Sequence, residues 1–113
     1  MKANNVEPRI KLTFEAPGSE SDSAFGPGVA ALCEGVRETG SLNAAAKQMH
    51  MAYSKAWRIM KETEDALGMQ LLVRDGAHGS TLTDECAALL EAYHRMHDEL
   101  CKQATKLFKN YIK

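Results

Sequence analysis

From Arg9 to Glu15 the chain alternates, with Ile10, Leu12 and Phe14 on one side and Arg9, Lys11 and Thr13 on the other. A period of two predicts a half-buried strand. It runs into APGSESDSAFGPG, where Pro, Gly and Ser dominate, so a mobile loop is expected from Ala16 to about Phe25. Pro27 suits the first turn of a helix, and Val29, Leu32, Cys33 and Val36 recur at helical spacing until Thr39-Gly40. Ser41 is the N-cap candidate of a short second helix reaching about His50, with Leu42, Ala45, Ala46 and Met49 inward. Its alanines let neighbours approach closely. After a break at His50-Met51-Ala52, a third helix is expected from about Tyr53 to Leu67, with Ala56, Ile59, Met60, Thr63 and Leu67 inward and Gly68 as its stop. Two helices joined by so short a turn form a helix-turn-helix.

Beyond Gly68, short apolar strands around Leu71 to Arg74 and Ser80 to Leu82 flank the turn Asp75-Gly76-Ala77-His78-Gly79, which predicts a β-hairpin, or wing. Thr83 then caps a last helix that no Gly or Pro interrupts. Along it Cys86, Leu90, Tyr93, His97, Leu100, Ala104, Leu107 and Tyr111 step by fours and threes, with Leu89, Met96, Cys101 and Phe108 widening the stripe. Such a helix, roughly 40 Å long, exceeds what so small a domain can cover. Its apolar face calls for a partner, most economically a second copy of the chain, through Leu90, Tyr93, His97, Leu100, Ala104, Leu107 and Tyr111.

The expected architecture is therefore mainly α with a small β wing: a winged helix-turn-helix with a long C-terminal dimerisation helix. Its parts are an N-terminal strand and loop over 1–25, the DNA-binding unit over 26–82 and the dimerisation helix over 83–113. A length of 113 residues allows one core, and an aromatic fraction of 6% points to Leu, Ala, Met and Val as its substance. No apolar run spans a bilayer and the N-terminus lacks a secretion signal, so a cytoplasmic protein with no membrane partner is expected. Cys33, Cys86 and Cys101 fit neither a disulfide framework nor a paired metal site and read as reduced, buried thiols.

From Gly40 to Tyr93 the sequence GSLNAAAKQMHMAYSKAWRIMKETEDALGMQLLVRDGAHGSTLTDECAALLEAY closely resembles the N-terminal DNA-binding domain of ModE-type molybdate-dependent regulators and, more distantly, that of LysR-type regulators. The parts that carry the likeness are Gly40-Ser41, Ala44-Ala45-Ala46, Tyr53 to Trp57 (YSKAW), Leu67-Gly68, Leu72-Val73-Arg74 and Leu82-Thr83, in that order, with RIKLTFE resembling the family's leading strand. The resemblance implies transcriptional regulation. ModE-type regulators continue into molybdate-binding domains where this sequence stops at Lys113, so sensing of molybdate by that route is not expected.

A helix-turn-helix places the N-terminal turn of its second helix in a major groove about 12 Å wide, facing base edges. Tyr53, Ser54 and Lys55 occupy that turn, with Arg58 one turn on and Lys61 beyond it. Ser54 can donate or accept, Lys55 and Arg58 can reach guanine acceptors or phosphate, and Tyr53 can touch phosphate or a thymine methyl. Ser41 and Asn43, where the second helix begins, are placed for a phosphate, and Lys47 adds an anchor. Arg74 and His78 of the wing either touch a minor groove or phosphate or, for Arg74, pair with Glu64 or Asp65. Trp57 either packs the third helix or lies near the DNA backbone, with packing preferred.

A formal net charge of -1 argues against recognition by bulk positive charge, yet Lys47, Lys55, Arg58, Lys61 and Arg74 can share one face, and a local patch suffices for phosphate contacts. His94, His97 and Cys101 lie close on the last helix, a weak metal motif without a second ligand cluster, so neither metal nor cofactor is expected. No phosphate loop, nucleophile elbow or paired-carboxylate pattern supports an enzyme. The expected function is sequence-specific binding of double-stranded DNA by a homodimeric regulator. The alternatives are a protein-interaction module of the same fold that pairs with another regulator, and a metal-responsive switch.

Overall fold

The computed structural model describes residues 2–19, 23–76 and 79–112. A 3-10 turn over Lys2–Asn5 leads into an extended segment, followed by α1 (Pro27–Thr39), α2 (Leu42–Gln48), α3 (Tyr53–Leu67), the hairpin β1 (Leu72–Asp75) and β2 (Gly79–Leu82), and α4 (Asp84–Tyr111). The hairpin is antiparallel, with Leu72 opposite Leu82 and Arg74 opposite Ser80. This is a winged helix-turn-helix followed by one long helix, and the molecule's longest dimension is 57 Å.

Local chemistry sets the helix ends. Ser41 accepts a hydrogen bond from the Ala44 N–H and caps α2, while Thr83 accepts from Cys86 and caps α4, whose first turn holds Asp84 and Glu85. The tight turn between α2 and α3 is a Schellman motif: the Met51 N–H reaches the Ala46 carbonyl and the His50 N–H that of Lys47. It requires left-handed backbone at His50, where φ is 55°. Gly35 permits a close approach of α1 to α2, since a Cβ there would lie 2.6 Å from that of Ala45.

The core gathers Phe25, the inner faces of α1 (Val29, Leu32, Cys33, Val36) and α2 (Leu42, Ala45, Ala46), Ala56 and Met60 of α3, Leu71 and Leu72, and Cys86, Leu90 and Tyr93 of α4. Aromatics hold a larger share of it than composition suggests. Phe14, Phe25 and Tyr93 form a three-ring cluster with centroid distances of 6.1, 5.6 and 5.6 Å. The expected loop therefore ends in a fully buried anchor, Phe25. Cys33 and Cys86 are free thiols within the core, their Sγ atoms 3.6 Å apart, and the neighbouring Cys86 thiol, with burial, pushes the Cys33 thiol far above its usual range. Cys101 is half-buried rather than buried.

The strand expected over Arg9–Glu15 does not form. Only an isolated bridge joins Phe14 to Phe25. The alternation is real in exposure, with Ile10, Leu12 and Phe14 turned inward and Arg9, Lys11 and Thr13 outward, but the segment lies against α4 instead of a second strand. Tyr93 donates its hydroxyl to the Leu12 carbonyl at 2.9 Å and His97 Nε2 donates to the Ile10 carbonyl at 3.0 Å. Side chains thus do work that a neighbouring strand's N–H groups would do in a sheet.

Candidate nucleic-acid interface

Three elements converge on one side of the domain. The start of α2, the first turn of α3 and the wing enclose an open concavity of about 370 Å³, lined by Ser41, Asn43, Tyr53, Arg74, Gly79 and Ser80 among others. The wing is held to this place by the Ser80 N–H, which donates to the Gly40 carbonyl at 2.8 Å. Its base is fixed from α3, because the Glu64 carboxylate accepts from the N–H groups of Leu71 and Leu72 at 2.7 and 3.2 Å. The wing is therefore hydrogen-bonded both to the α1–α2 junction and to α3.

On α3 the inner row of Ala56, Met60 and Thr63 is buried, which leaves Tyr53, Ser54, Lys55, Arg58 and Lys61 exposed. Tyr53 retains 43% of its surface. Lys47 in the last turn of α2 and Asn43 in its first are also exposed, and Ser41 is half-buried because its Oγ is occupied as the helix cap. Every predicted cation that is described, Lys47, Lys55, Arg58, Lys61 and Arg74, reaches solvent. His78 lies outside the described residues.

Arg74 does not pair with Glu64 or Asp65. Its guanidinium carbon lies 4.8 Å from the centroid of the Trp57 ring, and Lys61 Nζ approaches the same ring at 5.8 Å while standing 3.8 Å from Glu64. Glu64 is spent on the backbone at the start of β1, which is why it is not offered to the wing cation. Trp57 packs on the core and is half-buried, and both cations approach its ring. The sequence singled out each of these residues separately, whereas their meeting depends on how the wing crosses α3, for which no local pattern exists.

On α4 the predicted seam divides. Leu90 and Tyr93 are buried in the chain's own core and so are not open to a second molecule, and His97 is half-buried against the N-terminal segment. Ala104 is half-buried. Met96, Leu100, Leu107 and Tyr111 remain uncovered, at 45, 39, 48 and 82%. The correction arises because the extended segment from Val6 to Leu12 claims one edge of a stripe that sequence periodicity reads as single. His94 and His97 likewise diverge, the first meeting Glu34 at 2.9 Å and the second Ile10, with Cys101 Sγ 3.7 Å from His97. Among the described residues no three potential metal ligands converge. Arg37 first, then His94, holds the Glu34 carboxyl below its usual range.

Fold and surface together define a winged helix-turn-helix with an exposed, cation-bearing second helix. The model of the bacterial regulatory helix-turn-helix proteins of the lysR family matches residues 31–87, and the chain belongs to that family. No curated protein sequence matches. Among solved structures, the complex of the CbnR DNA-binding domain with DNA is similar at 30% identity and a TM-score of 0.59, covering 74% of this chain and 94% of that one. ArgP from Mycobacterium tuberculosis is similar at 27% identity and a TM-score of 0.51, covering 78% of this chain and 31% of that one. No helix among the described residues is long and apolar enough to cross a membrane.

Proposed function

We propose that this chain is a sequence-specific, double-stranded-DNA-binding transcriptional regulator that acts as a homodimer. The observation that carries the reading is the exposed row Tyr53, Ser54, Lys55, Arg58 and Lys61 on α3, flanked by Ser41, Asn43 and Arg74 on one surface. A domain of similar fold and 30% identity, that of CbnR, forms a complex with DNA. Ser54, Lys55 and Arg58 read base edges in the major groove, while Ser41, Asn43, Lys47, Tyr53, Lys61 and Arg74 hold phosphates. The second copy docks along Met96, Leu100, Leu107 and Tyr111, with half-sites roughly 34 Å apart on a partly palindromic operator. The reading rests on the lysR-family match, and ModE-type specificity forms no part of it.

The test is a gel shift against duplexes selected from genomic fragments, at two salt concentrations, with parent and Lys55→Ala/Arg58→Ala proteins. The double variant loses specific binding and keeps the parent's melting temperature and oligomeric state. A double variant that holds the selected duplex as tightly as the parent removes α3 as the reader.

A further inference from the structure

Of the features that the proposed function leaves unused, the approach of two cations to one indole ring carries furthest. Arg74 comes from the wing and Lys61 from α3, yet both stand over Trp57, at 4.8 and 5.8 Å from the ring centroid. Lys61 pairs with Glu64 at 3.8 Å and shares a groove with Glu64 and Asp65, while Glu64 accepts two backbone N–H groups besides. Among the residues whose side chains are described Arg74 has no acidic partner, and the ring is what it meets. In a chain of formal net charge -1, Arg74 is thereby held as a cation at the rim of the concavity that it shares with Ser41, Asn43 and Tyr53.

We infer that Trp57 is a positioning residue for DNA binding: its indole face holds the Arg74 guanidinium in place to meet a phosphate of the duplex beside the recognition helix. The inference deepens the proposed function and rests on it. An arginine on an exposed wing otherwise samples many rotamers, and binding must stop that motion. Stacking on an aromatic face favours one orientation by on the order of two- to fivefold at an exposed site, while all five N–H donors at the guanidinium edge stay available. The ring itself is fixed, because Trp57 packs on the core from a helix whose inner row is buried.

The experiment is a double-mutant cycle on duplex affinity, read against salt. Arg74→Ala makes the plot of log affinity against log salt shallower by about 0.9, the loss of one phosphate contact. Trp57→Leu keeps apolar bulk without the π face and weakens binding about two- to fivefold in the parent, but not at all in the Arg74→Ala background; Trp57→Phe restores most of the loss. Far-UV dichroism and a thermal melt establish that each variant is folded. Because Trp57 is the sole tryptophan, its emission in the parent reports the stack directly and shifts in Arg74→Ala. An equal loss from Trp57→Leu in both backgrounds makes Trp57 a packing residue only and overturns the inference, as does Arg74→Ala with the parent's salt slope. Either result leaves duplex reading by α3 standing, an unchanged salt slope removing only Arg74 from the phosphate contacts, whereas a parent protein that binds no duplex ends both.

Discussion

Gly35 lies within a helix, where alanine is normally favoured by about 1 kcal/mol. Here the added methyl would stand 2.6 Å from the Ala45 Cβ and 3.1 Å from its Cα, and the latter is backbone that cannot swing aside. Overpacking of this kind costs about 1–3 kcal/mol, so Gly35→Ala is expected to melt several degrees below the parent in a thermal scan. A variant that melts at or above the parent's temperature would show spare room between α1 and α2. The alanines of α2 announced a close approach, but their counterpart was invisible, because a glycine inside a helical pattern shows nothing of the face opposite it. His50 was hidden for another reason. The break at His50-Met51-Ala52 was legible, whereas the left-handed residue that makes it is a histidine, a type that enters this region less readily than glycine.

At the scale of elements, the helices were read within a residue or two because caps and stops mark them: Pro27, Ser41, Gly40, Gly68 and Thr83 sit at the boundaries the structure shows. The N-terminal segment was not. A period of two says that a chain is extended and covered on one side, and says nothing of whether a strand or a helix does the covering. The attachment of the wing to α3 was equally out of reach, since Glu64 and the amides it receives are seven and eight residues apart. Removing that carboxylate strands two N–H groups on the buried residues Leu71 and Leu72, so Glu64→Ala is expected to lose about 1–3 kcal/mol, with Glu64→Gln recovering part through its amide oxygen. Urea denaturation measures both. Equal midpoints for Glu64→Ala and parent would mean that the wing stays in register without the carboxylate.

For the whole molecule, the uncovered row on α4 is what a second copy buries in the proposed homodimer. Leu100 and Leu107 are 39 and 48% exposed, so Leu100→Asp/Leu107→Asp leaves the chain's own core untouched and is expected to yield monomers in light scattering, with operator binding weakened. Dimers that persist in the double variant would move the interface elsewhere. Periodicity revealed the stripe but not its division, because the pattern along a helix cannot show that another part of the chain already lies on half of it. The same helix is packed at one end through Cys86, Leu90 and Tyr93 and open at the other through Met96, Leu100, Leu107 and Tyr111, with no interruption between. It therefore acts as a keyed shaft. One residue inserted between Tyr93 and Met96 would turn the reading head by about 100° and shift it about 1.5 Å relative to its twin. In the proposed homodimer the phase of the two heads on the double helix is thus written in a count of residues along α4, independently of any side chain proposed to touch a base.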